Sequence, residues 1–98
     1  MMDFESAVGL IHEELVKATA KFPEWPDDPI HALAVLGEEY GELQKAVLQM
    51  VYEPEKVSYR DVREEAIQTA AMSVRFMMSL LEYHFSQSGQ HRQREVGP

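Results

Sequence analysis

Apolar residues recur at helical spacing in three stretches of the chain, and proline separates the stretches. In the first, from Asp3 to Phe22, Phe4, Val8, Ile11, Leu15 and Ala18 follow one another every three or four positions, the period of one helix face. Pro23 ends it, because proline disfavours helical geometry in the residue before it. A connector, Phe22-Pro23-Glu24-Trp25-Pro26-Asp27-Asp28-Pro29, follows. Asp28 suits the N-cap of the next helix, with Pro29 at its first position, where a missing N–H costs nothing. This second stretch runs from Pro29 to Tyr52 and carries a stripe of Leu33, Leu36, Tyr40, Leu43, Val47 and Met50, which reads as its core face. Gly37 and Gly41 interrupt the helix. Each costs roughly 1 kcal/mol of helix propensity relative to Ala, which points to close approach of another helix or to room for a ligand.

Pro54 breaks the chain before the third stretch. Ser58-Tyr59-Arg60-Asp61 has the spacing of a capping box, with Asp in the place of the usual Glu. A helix is predicted from near Ser58 to about Phe85, with Val62, Ala66, Thr69, Ser73, Met77 and Leu80 on one packing face and Ile67, Ala70, Val74 and Leu81 widening it. Residues 87–98 are polar and without periodicity, so a disordered tail is expected after a helical domain of residues 1–86. The fold class is therefore all-α, a bundle of three main helices per chain. Its stripes offer more apolar surface than one small chain covers. The bundle is expected to complete a four-helix-type core by oligomerisation, as a homodimer or homotetramer.

Composition narrows the function classes. The chain has 98 residues, 45% hydrophobic and 27% charged, the balance of one ordinary globular domain. No long uncharged apolar run is present, so no membrane partner is expected. The N-terminus lacks the basic and apolar regions of a secretion signal, and there is no cysteine; a cytoplasmic location is the expectation. With a formal net charge of −8 and no basic stripe, the chain is not suited to long nucleic acids. An acidic protein that handles a phosphorylated small molecule must first cancel its own charge, for which a divalent cation is the usual device.

The candidate chemistry lies in Gly37-Glu38-Glu39-Tyr40-Gly41-Glu42-Leu43. Glu39 and Glu42 are three residues apart and share a helix face with Ala32, Val35, Ala46 and Gln49. Two carboxylates thus interrupt a small and largely apolar strip. Unpaired carboxylates buried side by side are costly, and a shared cation removes the cost. Glu65 and Gln68 repeat the spacing on the third helix. If the second and third helices pack antiparallel, Glu39, Glu42, Glu65 and Gln68 converge as three carboxylates and one amide oxygen, a donor set for a hard cation such as Mg²⁺ or Mn²⁺. The bland alternative is a solvated face, since Glu is a strong helix former and Glu pairs on helices are common.

The stretch from His31 to Leu43 resembles the first signature of the all-α nucleoside triphosphate pyrophosphohydrolases, the MazG-like superfamily, which includes the dimeric dUTPases. Its Glu-Glu-x-x-Glu motif is matched by Glu38-Glu39-Tyr40-Gly41-Glu42, and Glu65-Ala66-Ile67-Gln68 falls at the place of its Glu-x-x-Asp motif, with Gln for Asp. The Trp25-Pro26 connector and the helix after Gln68 are similar too, so the resemblance spans Phe22 to Tyr83. It implies an oligomeric helical bundle that hydrolyses the α–β phosphoanhydride of a nucleoside triphosphate to monophosphate and pyrophosphate. It also implies that Glu39, Glu42 and Glu65 hold Mg²⁺, with Gln68 as a neutral fourth ligand, and that Glu38 orients the attacking water. Glu38 reads equally as a neighbour of the ligands or as a surface residue.

Other residues carry weaker signals. Trp25 suits stacking of a base, or a lid over the core. Lys17, Lys21 and Arg75 suit phosphate contacts; an Arg in the apolar run from Met72 to Leu81 equally suits a carboxylate partner such as Glu42 or Glu82. His12, His31, His84 and His91 lack metal-ligand spacing, and no Gly-rich phosphate loop, Ser-His-Asp set or nucleophilic Cys is present. Gln68 supplies no negative charge, which favours a second reading: a non-catalytic dimeric interaction or nucleotide-sensing module with weakened metal binding. A third is a structural bundle with surface glutamates.

Overall fold

The computed structural model describes residues 1–85, which are helical with no strand; the tail of residues 87–98 lies outside them. Helix α1 spans Phe4–Lys21, α2 Pro29–Tyr52 and α3 Tyr59–Met78, and a 3-10 turn follows at Leu80–Glu82. Each start is fixed by a side chain that satisfies N–H groups the helix cannot. The Asp3 carboxylate accepts from the Ser6 N–H at 2.8 Å. Asp28 accepts from the N–H groups of Ile30 and His31, with Pro29 in the first turn as its fixed φ suits. At α3 the Asp61 carboxylate reaches back to the Ser58 N–H at 2.8 Å, so Asp performs the capping-box role.

Helix α3 ends at Met78, earlier than its apolar periodicity predicts, because the following residues fold back. The Ser79 N–H still donates to the Arg75 carbonyl. Beyond the 3-10 turn, the His84 N–H donates to the Asp27 carbonyl at 2.8 Å. Tyr83 is buried against Phe76, with ring centroids 5.1 Å apart. Docking of this aromatic on the connector outweighs another turn of helix.

Helices α2 and α3 form an antiparallel hairpin across a short loop, and α1 packs on α3 alone, running parallel to it. The three helices are thus an open layer with α3 in the middle. Few residues are shielded: Ala32, Ala46, Ala71, Met72, Tyr83 and Arg75 are the buried ones described, and no large side chain is completely enclosed. The face that α2 turns to α3 carries Ala32, Val35, Glu39, Ala46 and Gln49, all buried or half-buried. The large apolar stripe is centred about 100° further around the helix. Its flank of Leu36, Leu43 and Met50 is half-buried, whereas Leu33 and Tyr40 are each 53% exposed. Small side chains against α3 allow close approach of the two helices; among the described residues nothing covers the exposed bulky ones. Among the described residues no helix is long and apolar enough to cross a membrane.

Candidate metal centre

The α2–α3 seam is pinned at the Glu-rich segment by a residue with no signature in the sequence. The Thr69 hydroxyl lies 3.1 Å from the Glu39 carbonyl and 2.8 Å from the Glu65 carbonyl. It can donate to one of them at a time. The second contact is the ordinary back-bond of a helical Thr to the residue four before it; the first crosses to α2 and sets Glu39 opposite Glu65. Thr69 sits on the face of α3 that periodicity assigns to packing, and nothing in the pattern separates its role from that of an apolar neighbour.

Glu39 is half-buried between Ala32 and Ala46, and Glu65 is half-buried on the facing helix. Burial holds the Glu39 carboxyl above the ordinary glutamate range, and the charges of Glu65, Glu42, Glu14 and Glu38 add to the shift. Glu65 is pushed up in the same way, by burial first and then by Glu42, Glu64 and Asp61. Its Oε2 is sealed from solvent without a hydrogen-bond partner. A buried acceptor with no donor costs about 1–3 kcal/mol, and an ionised one beside other carboxylates costs more. Glu42 is exposed at the edge of the cluster and raises both partners.

Gln68 is half-buried, and its amide N–H approaches Glu64 Oε1 at 3.4 Å, one turn back on α3. That contact occupies the nitrogen and leaves the amide oxygen as a free acceptor. The donor set therefore fits a hard cation in its chemistry: carboxylates that raise one another, an orphaned carboxylate oxygen and an amide oxygen. As placed, no three His, Cys, Asp or Glu side chains among the described residues are gathered tightly enough to ligate one ion.

A cleft of about 360 Å³ opens beside the cluster. Its floor is Glu64, Gln68 and Met72 of α3, Glu39 stands on the α2 side, and Glu14, Lys17 and Lys21 stand on the α1 side. Lys21 thus faces the carboxylates, with Lys17 one turn before it. Glu14 joins the cluster from α1, and its one sign in the sequence is a carboxylate set among Ile11, Leu15 and Ala18. Glu38 is exposed on α2, turned about 100° from Glu39.

Trp25 and Arg75 line a second cavity of about 670 Å³ between α1 and the end of α3. Arg75 is buried, and among the described residues it has no carboxylate partner. It donates to the Phe22 carbonyl at 2.7 Å and lies over the Trp25 ring at 4.8 Å, a cation–π contact. The Trp25 indole N–H donates to the Tyr83 hydroxyl at 2.8 Å, and that hydroxyl lies 3.2 Å from the Phe76 carbonyl that it can donate to. The connector is thereby fastened to α3. Phe22 lines the carboxylate cleft and Pro23 the larger cavity, so the two spaces adjoin at this connector.

Comparison with protein-family models, with curated proteins and with solved structures finds no match to the chain.

Proposed function

We propose that the chain is a Mg²⁺-dependent nucleoside triphosphate pyrophosphohydrolase of MazG-like type, with its centre at Glu39, Glu42, Glu65 and Gln68. The observation that carries this reading is the sealed, unpartnered Glu65 oxygen on a carboxylate close enough to Glu39, across the α2–α3 seam, to raise its carboxyl. Such an arrangement is unfavourable for the bare chain and favourable around a divalent cation. The bound ion, Mg²⁺ or Mn²⁺, would supply neutralisation of phosphate charge and Lewis acidity.

The chain's own residues supply the rest. Lys17 and Lys21 stand opposite Glu39 and draw the polyphosphate into the cleft. Glu38, adjacent to the ligands, accepts a proton from the attacking water and orients it toward the α-phosphorus. Trp25 offers a ring to the base in the adjoining cavity, where Arg75 presents its remaining N–H groups. The extensive exposed apolar surface supports a homodimer or homotetramer. A cytoplasmic location goes with this reading.

The test is pyrophosphate release from a panel of ribo- and deoxyribonucleoside triphosphates with Mg²⁺ or Mn²⁺. Monophosphate and pyrophosphate are the expected products, and Glu39→Ala is expected to abolish their formation. One observation favours a second reading, a non-catalytic interaction or nucleotide-sensing module: the residue at the motif's Asp position is Gln68, with its amide turned to Glu64. Nucleotide binding with no release from any triphosphate would establish that module.

A further inference from the structure

The outward face of α2 is uncharged from end to end. With 100° per residue, a sector of about 140° runs the whole length of the helix without a single Asp, Glu, Lys or Arg. Its large members, Ile30, Leu33, Tyr40, Val47, Leu48 and Val51, are all exposed, between 42% and 72%. Gly37 lies near the middle of this sector and Gly41 toward one edge of it. A Cβ built at either glycine meets nothing within 4 Å, so no packing among the described residues requires them. Two exposed glycines in a helix interior lower its helix propensity relative to Ala, with no compensating contact among the described residues.

We infer that α2 is the homodimer interface, in which the α2 helices of two copies cross at Gly37 and Gly41. Glycines at the crossing bring the two backbones close, so that the flanking Leu33, Tyr40 and Val47 interdigitate. The area is sufficient. A 24-residue helix is about 36 Å long, and a 140° strip of its accessible surface carries on the order of 600 Å². Two copies then remove on the order of 1,200 Å² from water, where specific interfaces begin. A second copy fits better than a lipid surface, because membrane-surface helices carry Lys and Arg on their polar face, whereas this chain has a net charge of −8. Pairing two α2–α3 hairpins in this way sets the two α2 helices against each other with an α3 on each outer side, and leaves Glu39 and Glu65 on the far side of α2 from the crossing. The inference deepens the assembly part of the functional proposal and does not depend on its chemistry.

The chain has no cysteine, so single cysteines report proximity cleanly. In the full chain, Tyr40→Cys at the crossing is expected to give a disulfide-linked dimer on mild oxidation, and Thr19→Cys on α1 is not. Gly37→Leu improves helix propensity, so it does not unfold the chain, but it overpacks the crossing. It is expected to raise the dimer dissociation constant about ten- to a hundred-fold in sedimentation equilibrium. A monomer at all concentrations would overturn the inference, even if it releases pyrophosphate. So would a dimer that Tyr40→Cys does not lock and Gly37→Leu does not weaken. A locked dimer without hydrolase activity would leave this interface standing and remove the enzyme instead.

Discussion

Glu65 carries a sealed oxygen with no hydrogen-bond partner, and the sign of its titration makes the cost of that arrangement measurable. Burial and neighbouring charge raise the carboxyls of Glu39 and Glu65 above their ordinary value of 4.5. The folded chain therefore binds protons more tightly than the unfolded one. The stabilisation from protonation is complete below the unfolded pKa and is lost as pH rises through the raised folded values. Metal-free protein is expected to melt at higher temperature near pH 5 than at pH 7, and Glu65→Gln is expected to flatten that slope. At pH 7 the same substitution is expected to raise the melting temperature of metal-free protein by a few degrees, since about 1 kcal/mol corresponds to about 4–8 °C in a chain of this size. A melting profile unchanged by Glu65→Gln would remove the strain argument. Thr69 acts in the opposite sense. Thr69→Val keeps the shape and loses the hydroxyl that ties α3 to the Glu39 carbonyl. A loss of about 1 kcal/mol is expected in urea unfolding.

At the scale of elements, α2 has two apolar-looking faces, one packed on α3 and one exposed. Its limits were legible, because Asp28, Pro29 and Pro54 are local signals and local chemistry decides helix ends. The face packed on α3 was legible through its glutamates but not through the apolar stripe, because periodicity identifies a stripe without saying which neighbour covers it. The large residues drew the eye to Leu33, Tyr40 and Val47, whereas α3 lies against Ala32, Val35 and Ala46. The end of α3 was misjudged for a related reason: Val74, Met77 and Leu81 continue the period, but Tyr83 turns back to a connector remote in sequence. This aromatic junction has its own consequence. Tyr83→Phe leaves the Trp25 indole N–H without its acceptor, and a loss of about 1 kcal/mol is expected. The emission of Trp25, the only tryptophan, is expected to shift with it. Unchanged emission would mean that the 2.8 Å bond does not persist in solution.

For the whole molecule, no large side chain among the described residues is fully enclosed, and the proposed association would supply the burial that a lone chain lacks. Melting temperature is therefore expected to rise with protein concentration, as it does when the folded state gains a partner that the unfolded state lacks. The approach of Glu39 to Glu65, with Glu42 at its edge, was legible from helical spacing and an antiparallel hairpin, whereas among the described residues no three acidic side chains are gathered tightly enough to ligate one ion. The link that Thr69 makes to α2 and the placement of Lys17 and Lys21 beside the cluster were not legible, since the packing of one helix on another is set by tertiary contacts that no local motif encodes. The most direct measurement is a calorimetric titration of the full chain with Mn²⁺, repeated on Glu39→Gln and Glu65→Gln. Saturable binding to the wild type, lost in both variants, is the expected result. Absence of binding, or binding that both variants retain, would contradict a divalent cation between α2 and α3.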